Sequence, residues 1–179
     1  DIRGTKTLMI ENNDKDDDIW IYLPALKKVR RIVSSNKKDS YAGTDFSYGD
    51  ILGYKPTEWI HKKLRTEIID GKSYYVIEST PKNKKVSEES GYSKRVSWIE
   101  SQNFYWIKVE AYDSNGKLFK RFDSSDYKKV DRKENKWQAM ELGVENLQTE
   151  HKTKIQYKSY VANTNISKEY FTSRYLEKQ

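Results

Sequence analysis

The sequence predicts a mainly β fold, a curved antiparallel sheet forming an incomplete barrel with a few short helices. Three observations carry this reading. Apolar residues recur at period 2, turn dipeptides separate the segments that carry them, and several strands are apolar on both faces.

The clearest strand pair runs from Trp59 to Ile69 and from Ser73 to Ser79. Asp70-Gly71 between them supplies the positive φ of a type I′ hairpin. Phe104 to Tyr112 and Leu118 to Phe122 form a second pair around Asn115-Gly116. Further strands are expected at Thr7 to Ile10, Ile19 to Leu23, Lys28 to Val33, Tyr92 to Ile99, Trp137 to Leu142 and Thr153 to Val161. Short connections between successive strands predict an antiparallel meander in a single sheet of about seven to ten strands.

In Ile19-Trp20-Ile21-Tyr22-Leu23, aliphatic side chains take one side and aromatic ones the other. A strand apolar on both sides needs cover on each, which a curved sheet provides when its concave side holds helices, a lid or a ligand. Ser167 to Lys178 reads as a terminal helix capped by Ser167, and a short helical or irregular piece is expected near Asp45 to Leu52. Lys82 to Glu89 reads as a long polar loop.

A length of 179 residues predicts one domain. The 34 Lys and Arg exceed the 27 Asp and Glu by a net charge of +7, but the excess is spread along the whole chain. That distribution describes a solvated surface able to touch an anionic membrane, and no nucleic-acid partner is expected. The 14 Tyr and 5 Trp suit surfaces that are apolar on one side and wet on the other. The basic, aromatic stretch from Tyr92 to Trp98 lacks the glycines of an RNA-recognition signature.

The absence of Cys excludes disulfides and thiolate chemistry. His61 and His151 are far apart and form no HExxH pattern, so neither a metal nor a cofactor is expected. Asn12, Asp14, Asp16 and Asp18 alternate like the front of a calcium loop. Asp17 and Leu23 stand where that loop requires Gly and a bidentate acid, which leaves an acidic turn. With no Gly-rich phosphate loop and no nucleophile elbow, catalysis is not expected.

Two longer stretches say more. One runs from Ile21-Tyr22-Leu23-Pro24-Ala25-Leu26 through the basic strand to Gly43-Thr44-Asp45-Phe46-Ser47-Tyr48-Gly49-Asp50; the other runs from Met140 to Phe171-Thr172-Ser173-Arg174-Tyr175-Leu176. Together they resemble the LolA-like family of outer-membrane lipoprotein-sorting proteins across nearly the whole chain, with Gly49 standing where that family often has Glu. The resemblance implies a half-barrel with short helices over its mouth, a signal peptide, export to the periplasm, and binding of a lipid or lipoprotein acyl chain beside an inner-membrane exporter of the resistance-nodulation-division type. Family members carry further sequence before the point matching Ile2-Arg3-Gly4-Thr5. Residues 1–179 are therefore expected to be the carboxyl-terminal domain of a longer protein, acting as a monomer.

Period 2 nominates Trp20, Tyr22, Leu64, Ile68, Trp98, Trp106 and Met140 for the concave, ligand-binding face. Adjacent Arg30 and Arg31 must face opposite sides, so one of them, with Arg31 the candidate, could meet a lipid headgroup or a lid carbonyl from the concave side, while an exterior ion pair is the reading the strand favours. A carrier needs such an apolar face. A protein-binding adaptor of an exporter would fill its cavity with its own side chains, and an enzyme would need a polar cluster inside it.

Overall fold

The computed structural model describes residues 3–12, 15–131 and 134–178. Ten strands are found among them, all paired antiparallel, in two sheets. β1 (Lys6–Ile10), β2 (Asp18–Leu23) and β3 (Lys28–Ile32) form a three-stranded sheet. The seven-stranded sheet contains β4 (Trp59–Ile69), β5 (Lys72–Pro81), β6 (Lys94–Glu100), β7 (Trp106–Tyr112), β8 (Leu118–Asp131), β9 (Lys136–Asn146) and β10 (His151–Gln156). They are ordered β10-β9-β8-β7-β6-β5-β4. The predicted single sheet is thus corrected to two, because the chain between β3 and β4 leaves the ladder and runs between them. That segment carries α1 (Tyr48–Leu52).

The outermost strands, β4 and β10, are not paired with each other, so the large sheet stays open. Both edges carry charge, with Lys62, Lys63 and Arg65 on β4 and Lys152 and Lys154 on β10. A bulge also interrupts β4 between Lys63 and Arg65. Charge and bulges are the devices that keep an edge strand from pairing with another chain.

The hairpin at Asp70-Gly71 forms as its sequence demands, with φ of 50° and 76°. Four other expectations are corrected. Lys82 to Glu89 is not a loop: Asn83 accepts from the Val86 amide and starts α2 (Lys84–Ser90), which Gly91 ends at φ 75°. The terminal helix is interrupted at Thr172, whose extended backbone separates a single turn at Lys168–Phe171 from α3 (Ser173–Glu177). Phe104 belongs to a turn rather than to β7, and beyond Gln156 the chain leaves the β10 ladder.

The segment between β3 and β4 fills the space between the sheets. Phe46 packs with Trp59, Tyr92, Val109, Phe122 and Val144 on the large sheet's side. Tyr48 packs with Ile19 and Ile21 of the small sheet, and Tyr41 touches both groups. α3 lies against all three strands of the small sheet on its other face, where Leu176 is buried.

Candidate ligand-binding face

Side chains paired directly across neighbouring strands share a face, so the register sorts the large sheet into two surfaces. One row runs Lys63, Ile77, Ser97, Val109, Phe122, Val144; the next runs Tyr75, Ile99, Trp106. Both belong to the inner face, against which Phe46 and its neighbours pack. Ile68 joins them through its pair with Ser73.

The interposed segment covers this face only in part. Val109, Phe122 and Val144 are buried beneath it, with the Phe46 and Phe122 rings 6.1 Å apart. Towards β4, Tyr75, Ile77 and Ile99 are half-buried and Ile68 is 71% exposed. Trp106 stands at the border, half-buried and packed against the covered cluster. Cations flank the open part: the Lys63 ammonium lies 4.2 Å from the Tyr75 ring centre, and the Arg95 guanidinium 4.5 Å from that of Tyr54.

The outer face is closed by its own side chains. Val76, Val96 and Trp98 form a small cluster there. Trp98 donates its ring N–H to Glu67 Oε2 at 2.8 Å, and the Lys108 ammonium sits 4.3 Å from its ring centre.

The eight nominated residues therefore do not form one surface. Ile68 and Trp106 share the inner face, whereas Trp98 lies on the outer one. Leu64 is the residue skipped at the β4 bulge and is 40% exposed. Met140 is buried within β9, where its carbonyl accepts from the Tyr157 amide. Trp20, Tyr22 and Arg31 gather on the small sheet's back face, where Trp20 and Arg31 line a groove with Arg174 and Glu177 beside α3. Arg31 is engaged by the Asp18 carboxylate, the exterior ion pair rather than the headgroup contact of the two readings its sequence left open. Tyr75, Ile77 and Ile99 escaped nomination. The signal for them was that Tyr75-Val76-Ile77 is apolar on both faces, but the bulges at Leu64 and Ile107 break the count needed to choose the face.

Polar groups hold the covering segment in place. Ser47 and Asp50 form a capping box at the start of α1. The Asp50 carboxylate also accepts from the hydroxyls of Tyr54 at 3.0 Å and Tyr92 at 3.1 Å, and pairs with Lys120 at 3.4 Å. Burial, reinforced by the Asp50 charge, pushes both tyrosine hydroxyls well above their ordinary range, so they remain donors. A Cβ on Gly49 would lie 3.1 Å from the Tyr54 hydroxyl, which gives the glycine a local reason.

The acidic turn between β1 and β2 adds to this through Asp17, while Asp16 and Asp18 draw cations outside the covering segment; Asp14 lies outside the described residues. Asp16 pairs with Lys85, Asp17 with Lys37 and Lys55, and Asp18 with Lys15 and Arg31. Burial opposes the charge on Asp17, but hydrogen bonds from Lys37, the Asn12 amide and Lys55 outweigh it and hold the carboxyl below its usual range. Asp45, bonded to Thr153 and His151, is likewise lowered against the cost of its burial. His61 bonds Ser79 and the Pro56 carbonyl. Among the described residues no group of three or more His, Cys, Asp or Glu converges as a metal site, and no helix is long and apolar enough to cross a membrane.

Three solved structures are similar to the chain. A domain ascribed to an outer membrane lipoprotein-sorting protein from Vibrio parahaemolyticus matches with a TM-score of 0.88 and 31% identity, over 98% of this chain and 72% of that one. A DUF1329 family protein from Desulfovibrio piger matches with a TM-score of 0.87, again at 31% identity with the same coverage. A LolA superfamily protein from Nitrosomonas europaea matches at 0.64 and 22% identity, over 88% of this chain and 67% of that one, a likeness of fold alone. No curated protein matches. A family model described as an uncharacterized protein matches residues 1–178. The chain therefore belongs to that family, together with the DUF1329 protein and the lipoprotein-sorting domain, and its fold is LolA-like.

Proposed function

We propose that this chain is a non-enzymatic periplasmic carrier that holds a lipid or lipoprotein acyl chain against the open part of the inner face. The observation that carries this reading is the unequal cover of that face: Tyr75, Ile77, Ile99 and Ile68 continue the apolar surface beyond the segment that buries its other half. Each methylene placed there is worth about 0.8 kcal/mol, so a short length of acyl chain suffices for reversible binding. Lys63 and Arg95, on the same face, are positioned beside a polar headgroup. The polar cluster at Asp50 supports a carrier over an enzyme, because its acceptors are consumed in fixing α1 to the sheet.

Native mass spectrometry of protein purified under mild conditions tests the reading. A co-purifying lipid mass is the expected result. A protein mass alone, unchanged after incubation with fatty acid or lysophospholipid, would contradict it and favour the exporter adaptor.

A further inference from the structure

The four most exposed large hydrophobic residues described are Val161 at 75%, Ile68 and Phe104 at 71%, and Ile166 at 57%. All lie at the end of the large sheet that carries the β4–β5, β6–β7 and β8–β9 turns. Phe104, Val161 and Ile166 line one open cavity of about 660 Å³ with Tyr160.

Phe104 is held there against a local cost. Its φ is 58°, in the left-handed region that disfavours a bulky side chain. The turn around it is fixed from below by Glu100, which is 4% exposed. Its carboxylate accepts from the Gln102 and Asn103 amides at 3.1 and 2.6 Å, while the Phe104 amide donates to the Glu100 carbonyl at 3.0 Å. Backbone strain persists only where the surroundings over-determine it. Here the outcome is a phenyl ring aimed at solvent.

Two contacts tie the loops at this end together, one of them through the turn itself. Asn135 Nδ2 donates to Asn103 Oδ1 at 3.2 Å, and Asn163 Nδ2 donates to Asp131 Oδ2 at 2.9 Å. The β6–β7 turn, the β8–β9 hairpin and the segment 160–166 are thereby tied into one surface. Lys136 borders this cavity, and Lys128, Lys129 and Lys158 border the adjoining one. Asp126 and Glu134 pair with Lys128 and Lys136. The sequence nevertheless carries six basic against three acidic residues over positions 126–136 and 158.

We propose that this end of the molecule docks on the surface of an anionic lipid bilayer. Phe104, Val161 and Ile166 enter the boundary between headgroups and acyl chains, and the surrounding lysines meet the lipid phosphates. The inference stands apart from the carrier reading, since none of these three residues belongs to the Tyr75, Ile77, Ile99 surface.

Flotation with vesicles tests it. The protein is expected to float with phosphatidylglycerol–phosphatidylethanolamine vesicles, to stay behind with phosphatidylcholine vesicles, and to release as salt rises. Phe104→Gly combined with Val161→Ser should weaken partitioning about tenfold. Lys128→Glu combined with Lys129→Glu should weaken it at least as much. The first variant should still bind a fluorescent fatty acid in solution as the parent does, so loss of docking and loss of acyl binding are read separately. Glycine suits the backbone at position 104, which protects the fold, and a thermal melt verifies this. Failure of the parent to float, equal flotation on both vesicle types, or parent-like flotation by natively melting variants would overturn the proposal.

Discussion

Two halves of one register row, Ile77 on one side and Val109, Phe122 and Val144 on the other, differ in burial although all are apolar and face the same way. Phe46 and its neighbours cover Val109, Phe122 and Val144, which are 4%, 4% and 2% exposed, while Ile77 is only half-buried. The difference lies in what is laid over the row. The covering segment is secured by buried charge and hydrogen bonds, and where it ends an apolar surface is left for another occupant.

The largest effect should come from releasing that segment. Asp50→Ala would leave Lys120 buried without its carboxylate and take an acceptor from the buried Tyr92 and the half-buried Tyr54, at a cost of about 3–5 kcal/mol. Urea denaturation measures it, and a loss below about 1 kcal/mol would mean that the covering segment is held mainly by apolar contact.

Acid should loosen the same half next. Asp17 and Asp45 have folded values held below the ordinary 3.8. A lowered carboxylate contributes stability that is present above its unfolded value and is lost as pH falls through the folded one. The urea midpoint should therefore hold steady from neutrality to about pH 5 and fall below about pH 4, and Asp17→Asn should flatten the fall. An acid profile unchanged by that substitution would assign the acid sensitivity elsewhere.

Smaller effects sharpen the contrast between the halves. Ser47→Ala removes the acceptor for the Asp50 amide and should cost about 1 kcal/mol by denaturant titration. At the exposed end the sign reverses. Phe104→Gly relieves a left-handed backbone and should leave stability unchanged or raise it by up to about 1 kcal/mol. A clear loss would show that the phenyl ring is packed rather than presented.

Much of this was legible in the sequence. Period 2 and the turn dipeptide at Asp70-Gly71 located most strands, and the short helical piece near Asp45 to Leu52 was legible as well. Helix α2 was missed because Val86 is its sole buried apolar side chain, so no amphipathic stripe announced it; the Asn83 cap and Gly91 were the available signals. The site was harder to read. Side assignment by period 2 holds only within an unbroken strand, and bulges at Leu64 and Ile107 reset it. Trp20 and Tyr22 were misplaced for another reason: their strand is apolar on both faces, and which partner covers which face is settled by tertiary structure alone. The aromatic side met α3, and the aliphatic side met Tyr48.

The central claim, that the uncovered half of the inner face receives an acyl chain, is tested most directly by placing the same charge in each half. Ile77→Glu and Val144→Glu should be compared with the parent by thermal melting and by displacement of a fluorescent fatty acid. Val144→Glu buries a carboxylate under the covering segment and should unfold the protein or lower its melting point severely. Ile77→Glu leaves the carboxylate solvated in the unliganded protein, so it should melt close to the parent and lose probe binding. Parent-like probe binding by a natively melting Ile77→Glu would contradict the account, as would a collapse of its stability equal to that of Val144→Glu.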